Sequence, residues 1–110
     1  MTATRNPPTS RPHDAAVVEL LKADPDFANE YLATALEEAE QPGGQAALLG
    51  ALRHVAEAQG MATVAQRAGI PRETLYRALG PKGNPTVKTL LAVLGAAGLR
   101  VAVTRDNAHA

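Results

Sequence analysis

Residues 61–79 read Met-Ala-Thr-Val-Ala-Gln-Arg-Ala-Gly-Ile-Pro-Arg-Glu-Thr-Leu-Tyr-Arg-Ala-Leu, and this stretch constrains the fold more than any other. With Met61 as its first position, Val64, Ala68, Ile70, Leu75 and Ala78 fall fourth, eighth, tenth, fifteenth and eighteenth. In a helix-turn-helix these positions must be apolar, because they hold the two helices together. Ala65 falls fifth, where the helices cross and only a small side chain fits. Gly69 falls ninth, at the tight turn, where a residue without Cβ takes positive φ freely. Two short helices over 61–68 and 71–79 are therefore expected, with Gly80-Pro81 ending the second because proline cannot continue a helix.

At 110 residues the chain supports one domain with one modest core. One Phe, two Tyr and no Trp make that core aliphatic. Ala-rich stretches favour helix. Pro7, Pro8 and Pro12 mark residues 1–12 as a disordered tail. A short helix over about 14–22 is expected next. Asp24-Pro25 then starts a second helix, with Asp as N-cap and Pro at the first helical position. Its stripe is Ala28, Leu32, Ala35, Leu36 and Ala39, and Pro42-Gly43-Gly44 ends it. A third helix runs to about 59 and buries Leu48, Leu52, Val55 and Ala56. After the pair at 61–79, the loop 82–85 leads to Thr86 as an N-cap, and Val87, Leu90, Leu91 and Leu94 repeat at helical spacing up to Gly98.

The expected fold is all-α, a five- to six-helix domain over 13–104 with a central helix-turn-helix. It comprises a helical region over 13–59, the helix-turn-helix core over 60–98, and a short C-terminal β-strand over 99–104, with a tail over 105–110. The strand follows from Leu-Arg-Val-Ala-Val-Thr. A single strand needs a partner. The same strand of a second copy would supply it and imply a homodimer; the alternative is an extended segment packed on the helices.

The zero net charge hides a division. Residues 14–57 carry nine acids and two bases, a net of −7, whereas 61–110 carry seven bases and two acids, a net of +5. Two surfaces with different partners are one reading, and two solvated helix faces the other. Absence of Cys excludes disulfides and thiolate metal sites. The three His, at 13, 54 and 109, have no metal-ligand spacing, and His54 reads as a polar position on the third helix. No nucleophile sits beside a base in a recognisable motif, so neither an enzyme nor a cofactor is expected. There is no signal-like or membrane-length apolar run, so the expected location is cytoplasmic, with no membrane partner.

The exposed face of the second motif helix carries Arg72, Glu73, Thr74, Tyr76 and Arg77. In a helix-turn-helix the start of this helix enters the major groove of double-stranded DNA. Arg pairs bidentately with guanine and Glu accepts from cytosine N4. Arg72 and Glu73 are thus assigned to bases, and Tyr76 and Arg77 to the groove wall or phosphates. Lys82, Asn84 and Lys88 are candidate backbone contacts. A surface ion pair with Arg77 competes for Glu73, and packing against the core competes for Tyr76.

Val64-Ala65, Ala68-Gly69-Ile70, the run Arg72-Glu73-Thr74-Leu75-Tyr76-Arg77-Ala78-Leu79 and Gly83-Asn84-Pro85-Thr86 together resemble the addiction-module antidote proteins. These are HigA-like antitoxins with a Cro-type (Xre), lambda-repressor-like helix-turn-helix. Tyr31-Leu32, Ala35-Leu36-Glu37-Glu38 and Gly98-Leu99-Arg100-Val101 are similar to that family too, so the resemblance spans about 14–104. It departs at Met61, where many relatives carry Gln, and at Pro71, where a capping Ser is usual. The resemblance implies a dimeric repressor of its own operon that also neutralises a co-encoded RelE/ParE-type toxin, to which the acidic residues of 14–57 would be attractive. The alternatives are a stand-alone phage-like or metabolic repressor, and an interaction module without DNA binding.

Overall fold

The computed structural model describes residues 11–106. Six helices follow in order: α1 (Arg11–Ala23), α2 (Phe27–Glu37), α3 (Gly44–Gln59), α4 (Met61–Ala68), α5 (Arg72–Ala78) and α6 (Val87–Ala96). The all-helical class and the helix count agree with the sequence. No described helix is long and apolar enough to cross a membrane.

Two central helices organise the packing. α1 and α2 lie against α3, α5 and α6 lie against α4, and α3 meets α4. The acidic part of the sequence therefore builds α1 to α3 and the basic part α4 to α6, joined at Gly60. One core runs through both. Leu52 and Val55 of α3, Val64 of α4, Leu75 of α5 and Val93 of α6 are its largest fully buried side chains. Gln59 Nε2 also donates to the Ala97 carbonyl at 2.9 Å, tying the end of α3 to the end of α6.

Local chemistry explains the α4–α5 connection. Gly69 caps α4 with φ +75°, and its N–H and that of Ile70 return to carbonyls in the last turn of α4. An L side chain would be strained there. Met61, Val64 and Ala65 of α4 and Leu75 of α5 are buried. Gly83 is required for another reason: a Cβ at this position would collide with the Ala78 carbonyl. The loop after α5 is therefore docked directly on the end of that helix.

Several expectations need correction. The strand over 99–104 is not formed; residues 99–106 have no regular structure, since no other segment of the described chain offers a ladder to pair with. The disordered tail expected over 1–12 ends too late, because residues 11–13 open α1; the rest of that tail, and residues 107–110 of the C-terminal one, lie outside the described residues. α2 starts at Phe27 after a turn built on Asp24, without a side-chain cap, and ends at Glu37 rather than at Pro42. Within it Ala28 and Leu32 are buried, Ala35 is partly buried against the core and Leu36 is exposed. On α3, Leu49 and Ala51 take the deep positions beside Leu52, and Leu48 is half-buried. On α6 the buried residues are Val93 and Ala96, not Val87 and Leu91, which face outward.

Candidate nucleic-acid interface

α5 is short, and its geometry follows from two anchors. Leu75 and Leu79, four residues apart, are buried and fix one side of the helix on the core. The opposite side is thereby forced outward and presents Arg72, Glu73, Tyr76 and Arg77, with Thr74 half-buried at its edge. Pro71 occupies the N-cap in an extended conformation and provides no capping bond. The first N–H groups of α5 are left without a side-chain acceptor, so the N-terminal end keeps its partial positive charge.

The Arg72 guanidinium lies over the Tyr76 ring, 5.6 Å from its centroid. This cation–π contact at i, i+4 restrains the long Arg side chain along the helix without consuming its hydrogen-bond donors. It also gives Tyr76 a role at the surface, and the ring remains exposed rather than packed into the core. Neither Glu73 nor Arg77 forms an ion pair with another described residue, which leaves both charged groups for an external partner.

Beside this face is an open depression of about 290 Å³. It gathers Thr74 and Arg77 from α5, Lys82 and Asn84 from the docked loop, and Thr86 and Thr89 from the start of α6. Thr86 caps α6: its Oγ1 accepts the Thr89 N–H at 3.1 Å. Two cations and a helix N-terminus around one depression favour an anion electrostatically. Of the eight residues singled out by sequence, Thr74, Arg77, Lys82 and Asn84 meet here. Arg72, Glu73 and Tyr76 line the adjoining helix face, and Lys88 is exposed on α6 outside the depression. Thr89 was missed, because its place follows from how α6 abuts the loop.

On the acidic side sequence reasoning missed a polar network. His54 Nε2 lies 3.0 Å from Asp14 Oδ1, and Tyr31 Oη lies 2.7 Å from His54 Nδ1. A carboxylate only accepts, so Nε2 donates to Asp14, and in the neutral imidazole Nδ1 then accepts from the Tyr31 hydroxyl. Tyr31 also stacks on Phe27 and on the His54 ring. Burial, and secondarily the Asp14 charge, raise the Tyr31 pKa above its usual value. The network clamps α1 and α2 onto α3. Among the described residues no cluster of three or more His, Cys, Asp or Glu could hold a metal ion.

The described residues thus form an all-helical fold with a basic, donor-rich α5 face and most of its acidic residues on and between α1, α2 and α3. A family model described as "Probable addiction module antidote protein" matches residues 10–105. The chain belongs to this family of addiction-module antidotes, and membership implies a toxin partner of some kind. A protein of Haemophilus influenzae strain Rd, described only as uncharacterised, is 42% identical over 60 residues. That match covers 54% of this chain and 62% of the relative, so the two share somewhat less than two thirds of the relative's length. No solved structure matches.

Proposed function

We propose that this chain is the antitoxin of a type II toxin–antitoxin module and represses its own operon by binding the operator through a HigA-like, Xre-type helix-turn-helix formed by α4 and α5. The observation that carries the reading is the α5 face. Its arginines and its glutamate are exposed, form no ion pair with any described residue, and are set on a helix whose other side is locked to the core. In the major groove Arg72 and Glu73 would meet base edges. Arg77, Lys82 and Asn84 would hold a phosphate in the depression beside them, and Lys88 another further along the backbone.

The same reading assigns the partner. A RelE/ParE-type toxin is basic, and the acidic side built by α1, α2 and α3 would steer its approach. The chain acts in the cytoplasm in this proposal, where both DNA and toxin are found.

The test is binding of the purified chain to the DNA upstream of its own gene, against scrambled DNA, at low and near-physiological salt. Preference for the upstream DNA that persists at higher salt supports the autorepressor. Equal, salt-labile binding to both overturns sequence-specific recognition by the chain alone. Co-expression with a neighbouring small basic protein tests the other half. Failure to form a complex or restore growth, alongside specific DNA binding, favours a stand-alone repressor.

A further inference from the structure

Between the start of α3 and the start of α6 runs an open groove of about 750 Å³. Ala46, Leu48 and Leu49 of α3 line it together with Pro85 and Leu90. Leu48, Pro85 and Leu90 are half-buried and Ala46 is exposed, so apolar surface remains open to water along the groove. The turn that follows α2 forms one wall, and the loop over 83–85 forms the other.

Two glycines hold these walls in place. Gly44 and Gly83 both line the groove, and a Cβ on either would collide with backbone. At Gly44 it would strike the carbonyls of Glu38 and Ala39, and at Gly83 that of Ala78. The turn after α2 is thus pressed onto the start of α3, and the Gly44 N–H donates back into that turn, to the Gln41 carbonyl at 2.8 Å. Backbone packed this closely resists displacement. The groove is therefore a standing feature of the fold.

Its charge is one-sided. Glu40 is the one charged residue among the described residues that line it. Glu37 and Glu38 come just before, at the end of α2, and that helix has no base in its last turn. Acids at a helix C-terminus oppose the helix dipole. None of the three forms an ion pair with another described residue. The chain holds three carboxylates where its own helix disfavours them and supplies no cation to offset them.

We propose that the groove receives a segment of a basic protein partner, with an apolar side chain against Leu48 and Leu90 and lysine or arginine against Glu37, Glu38 and Glu40. Burying the apolar surface drives the contact, and the incoming cations relieve the acids at the end of α2. A second copy of this chain fits less well. It brings eleven acids with its eleven bases, so it has no net attraction to an acidic rim, whereas a basic protein has. The proposal rests on the antitoxin reading for the partner's identity and adds where on the chain that partner docks.

The experiment measures binding of the full chain to the small basic protein encoded beside its gene, by calorimetry at near-physiological salt, with circular dichroism to confirm each fold. Ala46→Arg keeps a good helix former at an exposed position but fills the groove with bulk and like charge. Glu40→Lys reverses the charge at the rim. Each is expected to weaken the complex about tenfold or more, the scale of losing an anchor. Glu30→Lys is the control. Glu30 is exposed on α2, does not line the groove, and changes the net charge as much as Glu40→Lys does. It should cost less than about threefold, because long-range attraction is screened at this salt. Equal losses for Glu30→Lys and Glu40→Lys, with Ala46→Arg binding normally, overturn the groove and leave steering by the acidic side standing. No complex with the unmodified chain overturns the antitoxin reading and this proposal together. Self-association that Ala46→Arg abolishes puts a second copy in the groove and overturns the proposal as well.

Discussion

Replacing Asp14 by alanine tests how α1 is held in place. α1 touches the rest of the protein through Leu21 and Val17, which pack on the core, and through the Asp14–His54 hydrogen bond. The His54 side chain is 14% exposed and that of Asp14 37%. Without Asp14, the Nε2–H of a largely buried imidazole loses its acceptor. A hydrogen bond to a charged group contributes about 1.5–3 kcal/mol net. Water reaches the Asp14 side of the pair and replaces part of that, so the expected loss is about 1–1.5 kcal/mol. For a domain of this size it corresponds to a fall in Tm of about 5–10 °C. Asp14 also sits in the first turn of α1, where a negative charge favours the helix dipole. A double-mutant cycle separates the two contributions. In a His54→Ala background only the dipole part of the Asp14→Ala loss should remain. A coupling energy below about 0.3 kcal/mol would show that the two side chains act independently and would refute the clamp.

Leu75→Ala should cost about 2–5 kcal/mol in chemical denaturation, because Leu75 is fully buried where α5 meets the core. Arg72→Ala should weaken operator binding by about 1–3 kcal/mol while changing affinity for random DNA much less; equal losses on both would reassign Arg72 to phosphate. The raised Tyr31 pKa makes a pH prediction. The folded state holds the phenol proton more tightly than the unfolded one, so this contribution is complete below the ordinary tyrosine value of about 10 and is lost as pH rises through the folded pKa. Denaturation midpoints followed into alkali should fall less in Tyr31→Phe than in the unmodified chain.

How far the sequence could be read depended on whether a feature was local. The α4–α5 pair was legible because Gly69 and the apolar spacing act within twenty residues, and the buried Val64, Ala65 and Leu75 occupy the positions expected of them. The N-cap at Thr86 was legible for the same reason. The buried face of α6 was not. Val87, Leu90, Leu91 and Leu94 satisfy helical periodicity as well as Val93 and Ala96 do, and contact with α4 decides between them. The strand over 99–104 was read from composition, but ladder bonds come from a neighbour, not from a segment's own residues. The Asp14–His54–Tyr31 network carried no signal, since its members are 23 and 40 residues apart and acquire meaning only once α1 and α2 pack on α3. Of the eight candidate interface residues, the sequence identified the types but not that Arg77, Lys82 and Asn84 would share one depression with the start of α6.

If the proposed DNA binding holds, the charge division has a consequence for it that can be measured. The chain as a whole is neutral, so its basic face attracts a polyanion while the side around α2 repels it. A basic toxin seated on that acidic side would remove the repulsion without touching α5. Affinity for DNA should then rise on operator and random sequences together, and the added stabilisation should shrink with salt as screening shortens the reach of the acidic side. Titrating salt with the chain alone and with its toxin complex, on both DNAs, distinguishes this from a change in recognition. A gain confined to the operator, or one that is insensitive to salt, would mean that the toxin contacts DNA or reshapes α5, and would refute the electrostatic account.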